Sequence, residues 1–268
     1  MRKILLPPLM LLLVACSDST SILSSRDPHP RFDVTSGGEI GATAAHTGRI
    51  LPAAYANVMG DINNSWPHAN RNMRYQQVFL ESELAGTDRI TGLCLRHDES
   101  FGGPAVTEQI ALRLGPTSMD NTNLSTTFDD NYSAPPTEVF SGEVVIPATT
   151  GAGTVDAFDF CIEFTTEYVH PTGSNLVVEF VNSSLASRGH PKDACSVGST
   201  GCTTRRVVAF SAAAATATIA DNSGLIMSFL TADPTVRSDC MGDQWEDFEF
   251  KNQGQCVRFI ETGKDSRD

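Results

Sequence analysis

Positive charge is scarce in this chain: 19 Lys and Arg stand against 32 Asp and Glu over 268 residues, for a formal charge of -13. A surface for nucleic acid needs clustered basic side chains to displace condensed counterions, so DNA and RNA are not expected partners. Several signatures of chemistry are also missing from the sequence. There is no CxxC pair, and the histidines His29, His46, His68, His97, His170 and His190 are scattered, which argues against a zinc centre. No GxSxG elbow positions a serine nucleophile, and no DxDxDG loop offers calcium a ready cage. Aromatic side chains with a polar group, the usual stacking platforms for sugars, are few, with two Trp and four Tyr. No twelve-residue stretch carries a sustained helical period.

The start of the chain is its most specific signal. Arg2 and Lys3 precede an apolar run, Ile4 to Val14, that is too short to span a bilayer. Leu13-Val14-Ala15-Cys16 follows and resembles a bacterial lipobox. The resemblance implies cleavage after residue 15, diacylglycerol on Cys16 and membrane attachment through that residue, with Ser17 matching the pattern exported to the outer membrane. Residues 16–49 are rich in Ser, Thr, Gly and Ala, with Asp27-Pro28 and His29-Pro30 as breakers, and read as a flexible tether.

Apart from Cys16, six cysteines remain of the seven. Cys195 and Cys202 flank Ser-Val-Gly-Ser-Thr-Gly, which lets the ends meet; Cys240 and Cys256 bracket a segment containing Trp245; Cys94 and Cys161 pair by elimination. Three bridges point to an oxidising compartment.

From Ile50 the dominant period is two. Ile110, Leu112 and Leu114 alternate with Ala111 and Arg113, and Phe158, Phe160, Ile162 and Phe164 alternate with Asp159, Cys161 and Glu163. Further strand candidates are Arg74 to Leu80, Ile90 to Arg96, Glu138 to Ile146, Leu176 to Val181, Val207 to Phe210 and Leu225 to Leu230. Short runs separated by Gly, Pro, Asn and Asp predict an all-β chain, an antiparallel β-sandwich of jelly-roll-like form over 50–236. A signal segment (1–15) and the tether precede it, and a small disulfide-closed motif (237–268) follows. Cys94 and Cys161 fall on the outward phase of their strands, opposite Leu93 and Ile162, so the two strands are expected to be neighbours in one sheet.

Tyr55 to Gly60, Asn63-Asn64-Ser65-Trp66-Pro67 and Met73-Arg74-Tyr75-Gln76-Gln77-Val78-Phe79 resemble the opening of a group of exported bacterial β-sandwich proteins, many of which carry a PEP-type C-terminal sorting tail. Ile90 to Leu93, Thr137 to Gly142, Phe158 to Phe164 and Pro171 to Val181 continue the resemblance in order. It implies the sandwich and supplies no catalytic residue. The segment from Cys240 through Trp245 to Phe250-Lys251-Asn252-Gln253-Gly254-Gln255-Cys256-Val257 is similar to a small terminal motif of secreted bacterial proteins, with Asp243-Gln244 in place of Gly-Gly. Asn252-Gln253-Gly254 reads there as a turn that brings Cys256 back.

No cofactor is expected. His97-Asp98-Glu99 is the most suggestive local cluster, although neighbours on a strand point apart. Asp129-Asp130 and Glu246, Asp247 and Glu249 are candidates for paired carboxylates or for a structural calcium, the alternative being solvated acidic turns. Trp66 is either a stacking platform for a ligand or a plug for one end of the sandwich. Asn-x-Ser sequons at Asn123, Asn131 and Asn182 carry no weight in a bacterial export context. Three classes of function are open. One is a noncatalytic envelope lipoprotein that binds glycan, envelope polymer or protein. The others are an extracellular hydrolase and a structural assembly component.

Overall fold

A computed structural model of the chain describes residues 48–68, 72–84, 89–98, 100–151, 158–184, 191–196, 198–234, 237–242, 245, 248, 250–262, 264 and 266. The signal segment, Cys16 and the tether up to residue 47 lie outside the described residues, as do His29, His46, His190, Glu99, Asp243, Gln244, Glu246, Asp247 and Glu249.

The strands in chain order are β1 (Arg49–Leu51), β2 (Ile62–Asn64), β3 (Met73–Phe79), β4 (Arg89–Leu95), β5 (Val106–Thr117), β6 (Thr137–Ile146) and β7 (Phe160–Val169). After them come β8 (Asn175–Asn182), β9 (Lys192–Cys195), β10 (Arg205–Ala209), β11 (Ile219–Asp221), β12 (Gly224–Leu225) and β13 (Met227–Thr231). One α-helix, α1 (Gln253–Thr262), closes the described chain. A four-stranded sheet runs β1-β13-β4-β7 and a six-stranded sheet runs β11-β10-β3-β8-β5-β6; a small sheet, β12-β9-β2, joins them at one end, and every pairing is antiparallel.

The chain is thus the expected β-sandwich. Its main core lies between the two larger sheets: Leu93, Leu95, Phe160, Ile162, Met227 and Phe229 from one meet Tyr75, Phe79, Leu112, Leu114, Val178 and Phe180 from the other. Period-two alternation explains this face, and each fully buried Phe or Leu contributes roughly 2 kcal/mol. Ile110-Leu112-Leu114 and Leu176-Val178-Phe180 are the inward phases of β5 and β8.

The outward face of the six-stranded sheet is also covered, which a two-layer reading does not anticipate. Val78, Val177 and Val207 bury against Leu124 and Phe128. Residues 124–131 run beside the alanine-rich stretch 212–217, with Phe128 N-H donating to Ala215 O (3.1 Å) and Ala217 N-H to Thr126 O (2.7 Å). The alanine-rich stretch is therefore half of a lid on the sheet.

Cys94 faces Cys161 directly in the β4–β7 register and is bridged to it, with Leu93 opposite Ile162. Cys195–Cys202 and Cys240–Cys256 are the other two bridges. Cys94 is fully buried although it lies on the outward phase. Three disulfides belong to an oxidising environment, so the chain folds outside the reducing cytosol.

The C-terminal motif departs from expectation. Asn252-Gln253-Gly254 is not a returning turn but the start of α1. Asn252 Oδ1 accepts Gln255 N-H at 3.0 Å, and Gln255 Oε1 reaches back to Lys251 N-H at 3.1 Å, a variant of the reciprocal cap that fixes a helix N-terminus. The helix buries Cys256 with Cys240 and Phe250 in a core of its own.

The bridges predict a stability order. A disulfide closing 67 residues restricts the unfolded chain more than one closing 7. Replacing Cys94 and Cys161 by Ala should cost about 4 kcal/mol, against about 2.5 kcal/mol for Cys195 and Cys202, read from urea unfolding. Equal losses would show that chain entropy is not the source.

Candidate functional site

The outward face of the six-stranded sheet carries a row of polar side chains set by register. Gln76 lies opposite Glu179, Glu179 opposite Arg113, and Arg113 opposite Glu138, so four adjacent strands present Gln, Glu, Arg and Glu side by side. Glu179 is fully buried and accepts three bonds: Arg74 Nε at 2.9 Å, Gln76 Nε2 at 2.6 Å and Arg113 Nη1 at 3.0 Å. A buried carboxylate without such partners would be costly, so Glu179 dictates what surrounds it.

Gln76 ties the sheet to the turn above it, donating also to Phe128 O (3.1 Å) and accepting from Asn131 Nδ2 (2.8 Å). Arg74 lies 4.5 Å from the Phe128 ring centroid, donating to Ala214 O (3.0 Å) and to Asp129 Oδ1 (2.9 Å). Burial opposes its charge, but Glu179 and Asp129 more than offset this and hold the guanidinium above its ordinary pKa. Gly115 of β5 leaves room for the Tyr132 ring, since a Cβ there would stand 2.5 Å from Tyr132 Cδ1. Burial, then the charge of Glu179, pushes the Tyr132 hydroxyl well above its usual range, although the Gln76 amide and both arginines pull the other way. Arg74, Arg113, Asp129, Tyr132, Glu138 and Glu179 line a cleft of about 480 Å³ with Ser133-Ala134-Pro135-Pro136, within the range of small-ligand sites.

A second polar cluster closes the end of the core. Glu108 and Asn182 extend the inward phases of β5 and β8 past their apolar residues, and both are buried. His68 Nδ1 lies 2.9 Å from Glu108 Oε2, which also accepts Asn182 Nδ2 at 3.1 Å; the His68 ring meets Phe160 and Phe180 edge-on. His97 Nδ1 lies 3.0 Å from Asp159 Oδ1, and His97 is bridged to Lys192 in the backbone ladder. Lys192 Nζ stands 5.2 Å from the Phe160 ring centroid, fully buried and without a hydrogen-bond acceptor. Burial lowers the Lys192 amine to about 7 despite Asp159 and Glu108, and burial lowers His68 despite Glu108.

The sequence candidates fare differently. Trp66 is not a free platform. It is half-buried against the main core, with the Arg206 guanidinium 4.8 Å from its ring centroid and Phe210 edge-on at 5.6 Å, which is the plug arrangement. The histidines at 68, 97 and 170 are buried, each beside an acceptor: buried Glu108, the exposed Asp159 and the half-buried Ser174 carbonyl. His97 takes Asp159, not its neighbour Asp98, which instead accepts Ser100 N-H at 2.9 Å. Asp129, one of the candidates for a carboxylate pair or a calcium ligand, pairs through Oδ1 with Arg74, and among the described residues no three His, Cys, Asp or Glu converge on a cation site.

Sequence reasoning did not single out Gln76, Arg113, Glu179, Glu108 or Lys192. For Glu108 and Asn182 a signal exists, namely a polar residue continuing an inward apolar phase. For Glu179 it is a charge between Val177 and Val181 on a strand that is apolar in both phases.

Lys192 makes stability depend on pH. Its folded value, about 7, lies below the 10.5 of the free amine, so between those limits the unfolded chain binds more protons and stability rises with pH. The slope from this group approaches about 1.4 kcal/mol per pH unit. Lys192→Met should flatten that rise and raise the urea midpoint at pH 7; a variant less stable at pH 7 with the slope intact would contradict the burial of an unpaired amine.

No helix among the described residues is long and apolar enough to cross a membrane. No family model, no curated protein and no solved structure matches this chain.

Proposed function

We propose that the chain is a noncatalytic envelope lipoprotein, held to the membrane through lipidated Cys16, whose sandwich binds a glycan in the cleft over β3, β8, β5 and β6. The observation that carries this reading is the cleft formed by Arg113, Glu138, Arg74, Asp129 and Tyr132 over buried Glu179. Rigid strands preorganise it, the exposed Arg113 donors stand beside the acceptors Glu138 and Asp129, and a ring and two prolines supply an apolar wall. Vicinal hydroxyls, each donor and acceptor, match such an array. The lipobox-like Leu13-Val14-Ala15-Cys16 supports membrane attachment, and the three bridges support export.

Hydrolysis is the second reading, and the carboxylates Glu138 and Asp129 that line the cleft are the groups that could serve it. It requires turnover of the bound glycan, which product analysis of the incubation would reveal.

Two measurements test the proposal. Fatty-acid labelling of cells should mark the wild-type protein and not Cys16→Ser, and labelling of both would remove the anchor from the reading. On a glycan array the full chain should give signals that Arg113→Ala abolishes and that a Trp66 substitution leaves in place. Loss with the Trp66 variant alone would move the site to the sandwich end.

A further inference from the structure

We propose that the ligand of this cleft is a uronate-bearing glycan, its carboxylate received by the outer edge of the Arg113 guanidinium; this rests on the cleft being the binding site. The inner edge of that guanidinium is fixed, with Nη1 on buried Glu179 at 3.0 Å. Its outer edge is held far less well. Nε and Nη2 both reach a single oxygen, Glu138 Oε2, at 3.3 Å each, so two parallel donors share one distant acceptor. The Arg113 and Glu138 side chains are 35% and 48% exposed, and a pair so placed is readily exchanged. A planar carboxylate arriving in the guanidinium plane offers one oxygen to each N-H, the fork geometry that Arg provides and Lys does not.

The rest of the cleft restricts which carboxylate fits. Arg74 lies beside the same Glu179, and with Asp129 and Glu138 at the rim the cleft sets two guanidinia against three carboxylates, so an incoming carboxylate has to displace Glu138 rather than add to the pair. Asp129, 82% exposed at the rim, and a displaced Glu138 are acceptors for hydroxyl protons. Tyr132 and Pro135-Pro136 give a ring-sized apolar wall. A neutral sugar leaves the fork without a better acceptor than Glu138 supplies. An acidic peptide satisfies the fork and leaves the rim carboxylates facing like charge. A uronate brings the carboxylate and the hydroxyls on one ring. Because the whole chain is acidic at -13, long-range attraction works against an anionic ligand and selectivity has to come from this local fork.

Titration calorimetry of the full chain tests this with hexagalacturonate, hexamannuronate, a neutral hexaglucan and hexaglutamate. At least one uronate should bind about tenfold more tightly than the neutral hexamer and the peptide. Glu138→Gln, an exposed change that leaves the fold intact, should tighten uronate binding about threefold or more. Arg113→Lys should weaken it about tenfold, since the ammonium keeps the charge and loses the fork. Equal or better binding of the hexaglucan would overturn the uronate assignment and leave the cleft as a glycan site. Hexaglutamate binding as tightly as the uronates would overturn it in favour of acidic peptide. No binding by any of the four would overturn this inference together with the cleft reading. Should Arg113→Lys fail to fold, the Glu138→Gln result decides alone: unchanged or weaker uronate binding overturns the fork.

Discussion

A carboxylate placed on the outward face of a sheet and then fully buried is the constraint from which the functional surface follows. Glu179 cannot remain there without donors, and strand register supplies them from both sides, Gln76 on β3 and Arg113 on β5, with Arg74 diagonal to it. Each donor then carries a consequence of its own. Gln76 fastens residues 128–131 over the sheet, Arg74 holds Phe128 and the alanine-rich run, and Arg113 is left with a fixed inner edge and a weakly satisfied outer one. The cleft is what remains open between these obligations. Its preorganisation comes from strands rather than loops, which is the condition for a polar site to select among ligands of similar shape.

The opposite phase of the same strands shows the same logic with a different outcome. Tyr75 donates to Gln77 Oε1, and the Gln77 amide then pairs with both backbone groups of Leu225, standing in for a strand neighbour where β12 leaves the ladder. The two adjacent glutamines of β3 thus serve opposite faces, one anchoring the outer lid and the other splicing the small sheet onto the sandwich. At the end of the core, Glu108, His68, Asn182 and Lys192 take inward positions that apolar residues hold elsewhere. Lys192 bears such a cost plainly, since its amine finds no acceptor among the described residues.

Much of the fold is legible in the sequence because long strands have time to alternate. β5 through β8 were readable from Ile110-Leu112-Leu114 and Phe160-Ile162-Phe164, and the β4–β7 neighbourhood followed from the phases of Cys94 and Cys161. Strands of two to four residues, such as β1, β2, β9 and β11, have too few positions to show a period, and tertiary pairing alone makes them strands. The single helix was hidden for a similar reason. Its ten residues fall short of a convincing period, and its signal was local, an Asn followed three positions later by Gln. The site was less legible than the fold. Which polar residues converge depends on register between strands that are 25 positions apart for Arg113 and Glu138 and 103 for Gln76 and Glu179, and nothing along the chain encodes that register locally.

A double-mutant cycle in urea unfolding between Arg74 and Glu179, with each replaced by its Gln counterpart alone and together, asks most directly whether the buried carboxylate organises this face. Each single replacement leaves a charged partner short of its counter-charge, so a coupling of at least about 1 kcal/mol is expected, with the double variant losing less than the two single losses combined. Losses that add within about 0.3 kcal/mol would mean that Glu179 and Arg74 are held in place independently, and that the cleft owes its shape to something other than this ion pair.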